Sequence, residues 1–152
     1  MIVSSLCLPP TEDNLSTITT SPIDLIFWLK YSNFPNAGGK VIFSGEVRNH
    51  NEGKRVSHLD YEAEIKMSEK LIRRITNEAV KKWDLAFALC IHRIGAIQIS
   101  ESAVLVITSH SHRKEAYEAN QYIIDRVKHE VPIWKKEFYE DGTYSWGPQC
   151  QC

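Results

Sequence analysis

A chain of 152 residues has room for one domain with a real core, and too little for two large ones. Its 43% hydrophobic and 24% charged residues describe a soluble globular protein. A formal net charge of −1 excludes a general nucleic-acid coat, so any anion site must be local.

The opening "MIVSSLCLPPTEDNLSTITTSP" has no basic n-region and soon turns polar. It reads as a flexible leader over residues 1–20 rather than a signal peptide. In "SPIDLIFWLKYS", Ser21 as N-cap and Pro22 at the first helical position announce a helix. "NAGGK" is a turn, and "KVIFSGEVR" is a strand with Val41 and Phe43 on one face. "SHLDYEAE" alternates, placing Leu59, Tyr61 and Ala63 opposite His58, Asp60 and Glu62. From Met67 to Trp83 the period changes. Met67, Leu71, Ile75 and Ala79 recur at four-residue steps beside Ile72, predicting an amphipathic helix. "LAFALCIHRIG", "AIQIS" and "AVLVITS" are strands, the last apolar enough to be central. A second long helix covers 113–129, with Ser111 as a cap and Ala116, Ile123 and Val127 on its buried side. Residues 141–152 form a tail. Segregated strands and two packed helices predict an α+β domain.

No apolar run approaches the ~18 residues of a membrane span. Cys7, Cys90, Cys150 and Cys152 form no spaced framework, and Cys90 falls in a strand pattern where a buried thiol is expected. A reduced, cytoplasmic setting follows. The terminal "CQC" offers two sulfurs, too few to complete a metal site.

In "VKHEVPIWKKE", Lys128 and Lys135 stand on either side of Pro132 and Trp134. Pro132 ends any helix running into it, Trp134 is too large to sit idle in water, and two amines beside a rigid apolar corner can line one pocket. Tyr117, Ile124 and Lys128 follow one line at the edge of the apolar helix face, which makes Lys128 half covered. It either interacts with the helix C-terminal dipole or serves as acid, base or nucleophile. In "SHSHRKEAYE", His110, His112 and Arg113 follow a strand and open a helix, where backbone N–H groups favour an anion. Capping with solvated charges is the plainer alternative. The H-x-H pair is also a metal pattern, but no acidic or cysteine partner stands nearby at ligand spacing. Arg48, at a strand end before a polar loop, is either a solvated hairpin residue or a planar fork for phosphate. His92 and Arg93 are a satisfied sheet edge or, less directly, part of a site.

Five stretches in this order, "GEVRNHN", "YEAEIKMSEK", "IHRIG", "SHSHRKEAYEA" and "VKHEVPIWKKE", resemble the catalytic large subunit of molybdopterin synthase, the MoaE family. The resemblance runs from about Ser21 to Lys136 and sets the domain at 21–140. It implies an α/β hammerhead with an additional β-rich portion. It also implies a sulfurtransferase that needs no metal or other cofactor. The substrate would be cyclic pyranopterin monophosphate, and the sulfur donor the C-terminal thiocarboxylate of a small ubiquitin-like carrier ending in Gly-Gly. A homodimer within a 2:2 heterotetramer is the implied assembly. By the same resemblance Lys128 and Lys135 are the active-site lysines, Arg48, His112 and Arg113 surround the substrate phosphate, and Phe43 and Ile124 line the channel for the carrier tail. A methionine is more usual in the family at the position of Ile124. The chain departs from the family in having no Lys or Arg after Lys136, where a basic residue often reaches across the dimer. The competing expectation is a noncatalytic module that binds anionic metabolites or acidic peptide tails.

Overall fold

A computed structural model describes residues 14–147. In chain order the elements are β1 (Thr17–Thr19), α1 (Leu25–Tyr31), β2 (Gly39–Glu46), β3 (His50–Asn51), β4 (Lys54–Ala63) and α2 (Ile65–Trp83). Then follow β5 (Phe87–Arg93), β6 (Gly95–Gln98), β7 (Ser102–His110), α3 (Arg113–Glu130), β8 (Ile133–Tyr139) and β9 (Tyr144–Trp146). One sheet has the order β1-β5-β7-β2, and the second has β3-β4-β8-β9 with β6 also on β4. This is the α+β organisation read from the sequence, with a β-rich half beside the helices.

The apolar run of β7 is central, and Ser102 through Ser109 are all buried. α2 and α3 cover one face of the first sheet, where Ile72, Ile75, Ala79, Ile123 and Val127 meet Cys90, Val104 and Val106. On the other face Leu89, Ile91, Leu105 and Ile107 lie under Ile23, Leu25 and Trp28. A separate cluster of Val47, Val56, Leu59, Tyr61, Ile97 and Ala103 supports the second sheet.

Several details differ from the sequence reading. α1 starts at Leu25, because the Asp24 carboxylate accepts the Phe27 amide at 3.0 Å and satisfies a helix donor that Ser21 does not. The buried stripe of α2 runs through Ser68, Ile72, Ile75, Thr76 and Ala79, leaving Met67 49% exposed. Its polar members tolerate burial because they are bonded: Ser68 donates to the Pro132 carbonyl and Thr76 to that of Ile72. At α3 the cap position belongs to His112, while the Ser111 hydroxyl donates to the Asn36 carbonyl.

The stretch read as a leader contributes β1, which runs parallel to β5. Ser16 fixes its start by accepting the Cys90 amide through Oγ. Likewise β9, inside the stretch read as a tail, pairs with β8. Cys7, Cys150 and Cys152 lie outside the described residues.

Pro132 does stop α3, which ends at Glu130. Trp134, however, is 42% exposed and anchors nothing in the core. The corner is held instead by buried Val131 and by the Pro132 carbonyl, which takes bonds from the Glu64 amide and Ser68 Oγ.

Candidate active site

The alternation of β8 sends Lys135, Glu137 and Tyr139 to one side and Trp134, Lys136 and Phe138 to the other. Register places Lys135 directly across from Tyr61 of β4. The C-terminal turn of α3 brings Lys128 to the same place. With the end of β2 and the loop after it, these elements enclose a cavity of about 360 Å³ lined by Phe43, Arg48, Tyr61, Lys128, Lys135 and Glu137, among others. Two residues separated by a proline corner and a change of secondary structure thus share one hollow. That is the arrangement predicted for the two lysines.

Glu137 organises the polar floor. Its side chain is 5% exposed and accepts from Lys135 Nζ at 2.9 Å, Asn51 Nδ2 at 2.7 Å and the Tyr139 hydroxyl at 2.9 Å. Burial alone would push its carboxyl up, but the three donors outweigh burial and hold it below the ordinary carboxylate range. A buried charge paired this fully is tolerable, whereas the same charge without its donors would be strongly destabilising.

Lys128 meets a different surface. Its Nζ lies 5.9 Å from the centroid of the Tyr61 ring. Behind that ring stands His92, 1% exposed, with ring centroids 5.0 Å apart at 69°. His92 Nδ1 is 2.8 Å from the Arg93 carbonyl, so this nitrogen carries the proton and donates. Burial, reinforced by the Lys128 charge, pushes His92 down to about 3. Burial pushes the Cys90 thiol up to about 12 against the pull of Lys128. Both groups are therefore neutral near pH 7. Arg93 is structural, bonding Glu101 at 3.1 Å and the Ala96 carbonyl at 3.4 Å.

His112 and Arg113 are exposed at the opposite end of α3. Some 15 residues separate Arg113 from Lys128, roughly 22 Å at ~1.5 Å per residue. The "GG" at the start of β2 packs against this end, where a Cβ on Gly38 would run into the Ser111 carbonyl oxygen. His110 Nδ1 accepts the His112 amide at 2.9 Å. It has no proton there for Glu115, whose Oε2 lies 3.6 Å from the same nitrogen, so the amide bond is the operative contact. Phe43, Arg48, Lys128 and Lys135 are brought together; His112 and Arg113 are not. Ile124 also stands apart, packed against the α2–α3 core and absent from the cavity lining.

Chemically, the hollow suits an anion. Arg48, Lys128 and Lys135 outnumber the carboxylates of Glu46 and Glu137 around it. Fixed cations in such a place stabilise negative charge that develops during a reaction.

The family model for "MoaE protein" matches residues 18–130. The chain belongs to the MoaE family. It is 45% identical over 126 residues to the molybdopterin synthase catalytic subunit of Staphylococcus carnosus (strain TM300), covering 83% of this chain and 84% of that one. It is 43% identical over 132 residues to the protein of the same name from Staphylococcus aureus (strain COL), covering 87% and 89%. The crystal structure of molybdopterin synthase from Staphylococcus aureus superposes with a TM-score of 0.81 at 40% identity, over 88% of this chain and 96% of that one. A MoaE protein from Burkholderia ambifaria MC40-6 superposes with a TM-score of 0.71 at 30% identity, over 87% and 88%. As a MoaE member, the chain is an enzyme subunit of molybdopterin biosynthesis. No helix among its described residues is long and apolar enough to cross a membrane.

In this MoaE chain the sequence reading passed over Glu137, Asn51 and the pocket-facing role of Tyr61. Glu137 was accessible to it. Two-residue alternation in "KKEFYE" puts Glu137 on the Lys135 side, next to an amine that needs a partner. Asn51 carried no comparable signal, since its contact with Glu137 spans 86 positions.

Proposed function

We propose that this chain is the sulfur-transferring catalytic subunit of molybdopterin synthase. It takes sulfur from the C-terminal thiocarboxylate of a small ubiquitin-like carrier and delivers it to cyclic pyranopterin monophosphate. The product is the dithiolene of molybdopterin. The observation that carries this reading is the convergence of Lys128, Lys135 and Arg48 on one cavity.

The thiocarboxylate sulfur attacks an oxygen-bearing carbon of the pterin side chain, forming a C–S bond and an acyl thioester while the C–O bond at that carbon breaks and the departing oxygen is protonated or stays with the phosphate. Water then adds to the acyl carbon. The tetrahedral oxyanion collapses, the acyl C–S bond breaks, and the carrier leaves as a carboxylate while sulfur stays on the pterin. A second carrier repeats the sequence. Lys128 faces the developing oxyanion and moves protons to and from the reacting atoms, Lys135 positions the substrate's reacting carbon for attack, and Arg48 offers its fork to phosphate. The carrier tail must be slim to pass Phe43, which suits terminal glycines. Ile124, on the same helix as Lys128, packs against the α2–α3 core and acts through that packing.

His112 and Arg113 are too far from Lys128 within one chain to share its substrate. A homodimer resolves this if the second copy brings its α3 N-terminus to the cavity, in a 2:2 assembly with two carriers. A reducing cytoplasm agrees with the free, buried thiol of Cys90. The decisive experiment is reconstitution with a thiocarboxylated Gly-Gly carrier and the pyranopterin. Formation of the dithiolene is the expected result, and substrate binding without sulfur transfer would leave only an anion-binding module.

A further inference from the structure

The transfer proposed above needs two flexible amines at a fixed spacing. Lysine carries four methylenes and a compact charge, so something must restrain each ammonium. For Lys135 the restraint is Glu137, at 2.9 Å. For Lys128 the adjoining surface is Tyr61.

Tyr61 adjoins both lysines. It is 7% exposed, yet it lines the cavity. Across β8 it pairs with Lys135, and residues directly opposite in an antiparallel pair hold their Cβ atoms ~5 Å apart. Across β6 it pairs with Gly95. The Lys128 ammonium lies 5.9 Å from the ring centroid, at the outer edge of the ~6 Å range for cation–π attraction. Behind the ring, His92 is packed edge to face and fixed to the Arg93 carbonyl.

We infer that Tyr61 is a positioning residue for the proposed sulfur transfer, its ring seating the Lys128 ammonium while its strand register sets the distance to Lys135. The inference rests on the reading that these two lysines act in that reaction. His92 is the stop behind the ring. Because burial keeps it neutral, it places no second cation near Lys128.

A ring that merely fills the core would serve equally well whatever its electronic character. The test therefore compares Tyr61→Phe with pentafluorophenylalanine introduced at position 61. The two rings have nearly the same shape, but the face of the second is no longer attractive to a cation. Tyr61→Phe should recover turnover to within about threefold of the parent, while the fluorinated ring should lower kcat roughly tenfold with the pterin KM little changed. In parallel, acylation of Lys128 in the isolated chain is followed by peptide mass spectrometry, with Lys114 as reference. Labelling of Lys128 should accelerate severalfold with the fluorinated ring and stay at the parent rate in Tyr61→Phe.

Equal turnover and equal labelling for the two rings would overturn the inference and return Tyr61 to the core. Equal impairment of both would assign the role to the hydroxyl instead, which also overturns it. The labelling needs no sulfur transfer. An inactive parent protein would thus defeat the proposed function without deciding the seat of Lys128.

Discussion

The two ends of α3 present the same kind of charge in opposite settings. At the C-terminal end, Lys128 enters a cavity walled by strands, and the negative end of the helix dipole attracts its ammonium. At the N-terminal end, His112 and Arg113 are exposed, and the positive end of the dipole adds to the Arg113 charge. One end holds a cation in place; the other projects a positive field outward. A cation restrained in a hollow suits chemistry, and one projected from a surface suits capture of an anion that another molecule presents. Motifs adjacent in the sequence of one helix therefore need not serve one site in one chain.

The comparison breaks most sharply at Lys128. Lys128→Ala should cut sulfur transfer by ~10²–10³ while the circular dichroism spectrum and thermal midpoint stay near those of the parent. Near-normal turnover in the purified variant would remove Lys128 from the chemistry. Glu137→Gln comes next. It keeps the shape and removes the charge that orients Lys135, so kcat should fall roughly tenfold. A rise in KM alone would mean that Lys135 serves only in binding.

At the other end, Arg113→Ala should raise the pterin KM about tenfold and change kcat less. Mixing then sharpens the contrast. If a second copy supplies Arg113 to the cavity holding Lys128, inactive Lys128→Ala chains and Arg113→Ala chains complement each other. Random reassortment in a twofold dimer leaves about a quarter of the sites intact. Activity no higher than the average of the two separate variants, measured at low pterin, would place both residues in the same chain's site or deny Arg113 a role.

Much of this architecture was legible because the signals were periodic. The switch from alternation in "SHLDYEAE" to four-residue steps after Met67 marks the border between β4 and α2. The continuous apolar run of "AVLVITS" marks the central strand. Boundaries were harder, because caps depend on one hydrogen bond: Asp24 displaced Ser21 by accepting a single amide. Burial of α2 was misread around Met67, since Ser68 and Thr76 look solvent-facing until their backbone acceptors are known. At the site, the lysine pair could be read from the proline between its members. The separation of Lys128 from Arg113 could also be foreseen, because a helix has a fixed rise. The register that sets Tyr61 against Lys135 could not, as it depends on the pairing of strands more than 70 positions apart.

The smallest expected effect concerns stability, and it tests how closed the Lys128 end is. His92 is held at about 3 in the folded protein, against about 6.5 for an unperturbed histidine. The unfolded chain therefore takes up this proton first as pH falls. The stability contributed by neutral His92 is complete above pH ~6.5, shrinks below it, and stops shrinking near pH 3. Between pH 7 and pH 5.5 the loss should be about 1 kcal/mol. His92→Phe keeps a ring against Tyr61 but removes the titration. It should be less stable at pH 7, where the Arg93 carbonyl loses its donor. Its deficit relative to the parent should then narrow by about 1 kcal/mol at pH 5.5, as read from urea unfolding at the two values. A deficit that stayed constant would mean that His92 can be protonated in place, and that the pocket end of α3 is as open to water as the end carrying Arg113.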